Sequence, residues 1–139
     1  MRIWHKDLIP VLPQQQLVGQ WRECCLIAKH FAVDGTPNHL LVNKILLYPP
    51  GHLWKYGFIV MNEMVRRGYK VDFERFEQWI DKPYALIVPE EKDLFNNWHN
   101  DRYLRQCYYN LEEKFDCGGI SAEEWLPIQQ FYIERMLKK

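Results

Sequence analysis

Residues Gln14–Ala32 read QQQLVGQWRECCLIAKHFA. At about 100° of turn per residue, Leu17, Val18, Trp21, Cys24, Cys25, Ala28, Phe31 and Ala32 fall on one broad stripe, the pattern of a helix packed on a core. Asp34-Gly35 follows where a helix should stop. The helical period recurs downstream. His39–Leu47 reads as a second, short helix ended by Pro49-Pro50, and Leu53–Arg67 as a third, with Arg66-Arg67 in its last turn and Gly68 at a left-handed cap. Phe73–Ile80 is a short helix for which Asp72 offers a cap, and Glu90 to Phe115 is one long helix or two broken ones. Ser121-x-x-Glu124 is a capping box opening a terminal helix that Pro127 must kink or restart. Tyr84–Val88 alone has strand composition, and one strand cannot make a sheet. The expected fold is all-α: a compact single-domain helical bundle spanning residues 1–139.

Composition agrees with one core. The chain has 139 residues, 47% of them hydrophobic, with 18 Lys plus Arg against 18 Asp plus Glu, so the signature of disorder is absent. No apolar run approaches the ~18 residues of a membrane span, and Met1-Arg2-Ile3-Trp4-His5-Lys6-Asp7 lacks the apolar stretch of a secretory signal. A cytoplasmic protein with no membrane partner is the expectation. Cys24, Cys25, Cys107 and Cys117 show no metal or redox spacing and read as reduced thiols, mostly core filler. His5, His30, His39, His52 and His99 are scattered, so neither a metal site nor a cofactor is expected. The neutral total conceals an asymmetry: residues 1–75 carry ten Lys/Arg and six Asp/Glu, residues 76–139 eight and twelve. An anionic partner would face the first part; two surfaces that attract each other or water explain the same numbers.

Within the first helix, with Leu17 at 0°, Arg22 lies near 140° and Glu23 near 240°, both off the main stripe. Gly19 stands one turn before Glu23, and Leu26 and Ile27 one turn after. A missing side chain and two aliphatic ones can make a concavity whose walls raise the carboxyl pKa. The bland alternative sends Glu23 to water or to an arginine while Leu26 and Ile27 touch a second packing layer.

Four elements in order resemble the pyrimidine-dimer DNA glycosylase family, that of phage-type endonuclease V and its bacterial relatives: Met1-Arg2-Ile3-Trp4, Gln15-x-Leu17-Val18-x-x-Trp21-Arg22-Glu23, Asn38-His39, and Arg67-Gly68-Tyr69-x-Val71-Asp72. The resemblance covers roughly residues 1–80; residues 84–139 read as a helical extension without a comparable match. It implies an endonuclease V-like helical enzyme acting on damaged double-stranded DNA, with the first residue's α-amine as nucleophile and a glutamate as its chemical partner. It further implies base release and then backbone cleavage by β-elimination through an imine. Carried onto this sequence, the catalytic pair is Met1 and Glu23, with Arg2, Gln15 and Arg22 as DNA contacts. An α-amine near pKa 7.8 is roughly 14% neutral at pH 7, a lysine near 10.4 roughly 0.04%, so the terminal amine starts a few hundredfold ahead. His39 either joins the DNA contacts or is a structurally bonded histidine behind a capping Asn38.

The sequence also departs from the family pattern. Arg2 is too bulky for ordinary methionine trimming, so the amine would be that of Met1 itself. Cys24-Cys25-Leu26-Ile27 stands where a further arginine is expected, and the aromatic, lysine-rich tail of the phage enzyme is not evident in Ile128–Lys139. A second reading is therefore a non-catalytic helical module that binds DNA or protein on the same scaffold. Trp4, Trp21, Trp54 and Tyr108-Tyr109 are read as core in preference to base-stacking groups.

Overall fold

The computed structural model describes residues 2–34, 39–80 and 87–138. Among them every regular element is helical: α1 (Gln14–Lys29), α2 (Leu40–Asn43), α3 (Gly51–Arg66), α4 (Phe73–Glu77), α5 (Asp101–Asp116) and α6 (Ala122–Leu137), with short 3-10 helices at Lys6–Val11, Lys44–Leu47 and Glu91–Asp93. The chain is an all-α, compact single-domain bundle, as its periodicity predicts.

The central packing is α1 against α3, with α4 laid against both. Helix α1 buries Leu17, Cys24, Ile27 and Ala28, and continues as a π-helical turn over His30–Asp34. Helix α3 buries Leu53, Tyr56, Gly57, Val60, Met61 and Met64, an i, i+3, i+4, i+7 stripe. Gly57 is required there: a Cβ would lie 2.4 Å from the ring of fully buried Phe76 on α4. Gly68, at φ +87°, ends α3 as expected. Its N–H donates to Val65 O (2.9 Å), and that of Tyr69 to Met64 O (2.9 Å), the two bonds of a Schellman motif. Arg67 extends this end sideways. Its guanidinium donates to the carbonyls of Ile9 (3.4 Å) and Pro10 (3.2 Å) and to Glu63 (2.7 Å), tying α3 to the first 3-10 helix. Burial opposes ionisation of Glu63, but hydrogen bonds from Arg66 and Arg67 prevail and hold its carboxyl below the usual range.

Downstream, the structure chooses between open expectations. Glu90 to Phe115 is broken: Phe95 and Asn97 adopt φ of +51° and +70°, which no α-helix admits, and after the 3-10 turn at Glu91–Asp93 the α-helix begins only at Asp101. Asn100 caps it by accepting from the Tyr103 N–H at 3.0 Å. Ser121 caps α6 through Glu124 N–H (3.1 Å), and α6 runs through Pro127 without restarting. Its Tyr132 stacks on Tyr108 of α5 with ring centroids 3.8 Å apart. Asp72 makes no side-chain cap on α4, and α2 is capped by the Nδ1 of His39, which accepts from Val42 N–H at 3.3 Å. Asn38 and residues 84–86 of the strand-like stretch lie outside the described residues; Ile87 and Val88 are not in a strand. Cys24, Cys25 and Cys107 are buried free thiols, and Cys117 is exposed. Trp4 and Tyr108 are core, Trp21 and Trp54 are half-buried against it, and Tyr109 is 54% exposed.

Candidate active site

The amino-terminal segment is held residue by residue. Ile3 and His5 have no solvent exposure, and Trp4 and Lys6 are nearly as buried. An extended segment has no helical ladder to satisfy its peptide groups, so buried ones need partners elsewhere. Tyr103 of α5 donates its hydroxyl to the Ile3 carbonyl. Gln20 of α1 accepts from the Trp4 N–H at 2.8 Å, and Tyr56 of α3 donates to the Trp4 carbonyl at 2.6 Å. The Lys6 N–H donates to Nδ1 of His99 at 3.0 Å. Three separate parts of the chain thereby fix the backbone just after its first residue.

Beside that segment lies an open cavity of about 520 Å³, lined by Arg2 and Trp4, by Gln15, Gln16, Gly19, Gln20 and Glu23 on α1, and by Asn110, Lys114 and Gly119. Gly19 faces its open space, since a Cβ there would meet nothing within 4 Å. Burial raises the Glu23 carboxyl above the ordinary glutamate value, while the backbone N–H of Arg2, hydrogen-bonded to it, pulls the other way. Gln20 Nε2 also donates to Glu23 Oε2 at 3.3 Å. The arrangement joins a carboxyl of raised proton affinity, neutral amide donors and acceptors, and two cations, Arg2 and Lys114, around a space wide enough for a nucleotide base. Among the described residues no group of three or more His, Cys, Asp or Glu is placed to hold a metal, and no helix is long and apolar enough to cross a membrane.

Of the residues singled out from sequence, Arg2, Gln15 and Glu23 come together on this cavity. Arg22 is exposed and does not line it, although it is adjacent to Glu23 on α1. His39 does not line it either. Met1 lies outside the described residues. The expected collar of Glu23 is half right. Gly19 faces the cavity, whereas Ile27 is fully buried in the core and Leu26 is 47% exposed, so the apolar wall is Trp4 instead. Sequence reasoning missed Gln20, Asn110 and Lys114. For Gln20 a signal existed: it sits at the edge of the apolar stripe, one turn before Glu23, where a polar side chain must be either exposed or bonded. For Asn110 and Lys114 no local signal exists, because only the tertiary packing of α5 brings them opposite α1.

Residues 1–77 match the family model of the pyrimidine dimer DNA glycosylases. No curated protein and no solved structure matches the chain. The matched stretch is more than half of the 139 residues, and it contains Arg2, Gln15, Gln20 and Glu23 of the cavity and the Arg67-Gly68 turn that secures the first 3-10 helix. The chain therefore belongs to the pyrimidine dimer DNA glycosylase family, with the role in DNA repair and the DNA substrate that membership implies.

Proposed function

We propose that this chain is a DNA glycosylase with abasic-site lyase activity, the α-amine of Met1 attacking C1′ of a damaged nucleotide and Glu23 serving as proton relay. The observation that carries the reading is the Arg2 N–H hydrogen-bonded to a Glu23 carboxyl of raised proton affinity, on the wall of a nucleotide-sized cavity. The α-nitrogen of a first residue is three covalent bonds from the next peptide nitrogen, so it lies within about 4 Å of it whatever its torsions. In this proposal the Met1 amine, covalently adjacent to Arg2, works on that same carboxyl.

The chemistry uses that proximity twice. The neutral amine forms a bond to C1′ as the glycosidic bond breaks, and the base leaves with the bonding electrons and takes a proton from Glu23. Sugar-ring opening, with protonation of O4′, leaves a protonated imine. The Glu23 carboxylate then removes a C2′ proton, C2′=C3′ forms, and the 3′ phosphate departs with its electron pair. Water hydrolyses the imine and regenerates the amine. A carboxyl whose pKa is raised by burial suits both halves, as donor first and as base afterwards. Arg2, Gln15 and Arg22 serve the flanking phosphates, together with His39, whose Nδ1 is committed to the α2 cap and whose Nε2 is left for DNA. Extrusion of the nucleotide costs a few kcal/mol, and less where the lesion has weakened pairing.

Tag-free protein starting at Met1, incubated with abasic-site DNA and borohydride, should give a covalent adduct, and α-acetylated protein none. Absence of the adduct where a known lyase traps removes the mechanism and leaves the non-catalytic binding module. Glu23→Gln should slow strand cleavage about 10²–10⁴-fold. It should not lower Tm at pH 7. A carboxyl pKa raised on folding means that ionisation weakens the fold as pH climbs through it, and the neutral amide escapes that cost.

A further inference from the structure

We infer that Gln20 is a positioning residue that locks the amino-terminal backbone and the Glu23 carboxylate into one frame through a single side-chain amide; the inference rests on the reaction proposed above. Gln20 is only 1% exposed, and both ends of its amide are bonded. Oε1 accepts from the Trp4 N–H at 2.8 Å and lies 2.9 Å from the Tyr56 hydroxyl; Nε2 donates to Glu23 Oε2 at 3.3 Å.

The orientation of this amide is dictated by its partners. A peptide N–H is only a donor, so the Gln20 atom facing Trp4 must be the oxygen. Planarity then sends the NH₂ group to the other side, where Glu23 waits as an acceptor. The Tyr56 hydroxyl has one proton, shared between the Trp4 carbonyl at 2.6 Å and Gln20 Oε1, so it reinforces the arrangement without adding a competing donor. Every displacement of the terminal segment along its own direction is transmitted through the rigid amide to Glu23, and the reverse also holds. At the Trp4 end, where Gln20 is 1% exposed and Trp4 6%, burial excludes water as a substitute partner. A nucleophile at the start of the chain and a proton relay on α1 need such a coupling to stay at reacting distance.

The test compares Gln20→Met and Gln20→Glu with wild type in borohydride trapping on abasic-site DNA over a range of pH, with Tm and DNA affinity measured alongside. Gln20→Met has about the same length and no polar atoms. It should trap about ten- to a hundredfold more slowly at saturating DNA, with affinity unchanged, because it disturbs alignment and not phosphate contacts. Gln20→Glu keeps the acceptor for Trp4 N–H and replaces the donor toward Glu23 with a second carboxylate. The limb of its pH–rate profile that reports Glu23 should move to higher pH, since like charges disfavour joint ionisation. A purely structural role for Gln20 would lower Tm and leave that limb in place. If wild type itself fails to trap, the proposed reaction falls. If wild type traps while Gln20→Glu keeps the wild-type pH profile and Gln20→Met keeps the wild-type trapping rate, the reaction stands and the positioning role of Gln20 is overturned.

Discussion

Arg2, Gln15, Gln20 and Glu23 all lie within residues 1–77, whereas two of the side chains that hold the segment behind Arg2, Tyr103 on the Ile3 carbonyl and His99 on the Lys6 N–H, lie in the stretch the family model leaves unmatched. The unmatched stretch also supplies Arg135, whose guanidinium meets Asp7 at 2.8 Å, and Glu124, which accepts from the Gln14 N–H at 3.1 Å where α1 begins. The matched region thus presents most of the cavity groups, and the unmatched one adds its clamps to those of Gln20 and Tyr56. Divergent sequence in a clamp is tolerable because many side chains can donate to a carbonyl or accept from an N–H. The cavity groups have no such latitude, since each must match the charge and reach of a nucleotide.

The seam between the two regions is where the largest effect of breaking this division is expected. His5 and His99 stack with ring centroids 5.0 Å apart, and burial depresses both, His5 to about 4 and His99 to about 2, with Asp7 opposing the fall for His5 and Lys6 adding to it for both. Each uses Nδ1 as an acceptor, His5 from Asp7 N–H (3.1 Å) and His99 from Lys6 N–H (3.0 Å), so a proton on Nδ1 would meet a donor head-on. An imidazole with a depressed folded pKa loses stability as pH falls from its unfolded value, about 6.5, toward the folded one, because the unfolded chain takes the proton first. Unfolding free energy should therefore drop by about 1.2 kcal/mol for each ring between pH 6 and pH 5, the largest change in stability predicted. Denaturant titrations at the two pH values check this. His99→Gln should remove one ring's share of the slope whatever it does to absolute stability; an unaltered slope would show that His99 is already protonated in the fold.

A smaller effect isolates a single clamp. Tyr103→Phe deletes the hydroxyl that satisfies the Ile3 carbonyl and leaves the packing of the ring against His99 and Trp98 intact. A buried acceptor losing its donor should cost about 1–2 kcal/mol in chemical denaturation. Trapping on abasic DNA should slow as well, since the loosened carbonyl is two residues from the proposed nucleophile. Unchanged trapping at reduced stability would mean that the α1 and α3 contacts to Trp4 suffice, and that the unmatched stretch serves stability alone.

How much of this was legible in sequence follows from how local each feature is. The α1 stripe, the Gly68 cap and the Ser121 cap depend on residues within one or two turns, and they appear where expected. Glu23 was legible both from its place beside Gly19 on the helix and through the family pattern, Arg2 through that pattern alone. The break before α5 was not legible, because nothing about Phe95 or Asn97 in isolation demands positive φ. Phe95 tolerates it with its ring fully buried and its N–H donated to His52 Nδ1 at 3.0 Å, a contact 43 positions away. His39 illustrates the same limit. It was read either as a DNA contact or as a structurally bonded histidine behind a capping Asn38, and only the fold shows its imidazole accepting from Val42 N–H.

The smallest predicted effect bears on whether the unmatched stretch touches the substrate at all. Lys114 lies on α5 with its side chain exposed at the cavity, one turn after Asn110 and across from Gly19 and Glu23. Its backbone carbonyl is engaged by the Gly119 N–H at 2.8 Å in the turn that ends α5, so changing the side chain leaves that turn alone. If its ammonium neutralises one phosphate of the bound duplex, Lys114→Gln removes one released counterion. The slope of log affinity against log salt then becomes shallower by about 0.9. Trapping at saturating DNA should be unaffected, because the charge acts on the backbone and not on C1′. A salt slope equal to wild type would confine phosphate recognition to residues 1–77 and reduce the unmatched stretch to a holder of the amino-terminal segment; a shallower one would make it part of the DNA-binding face.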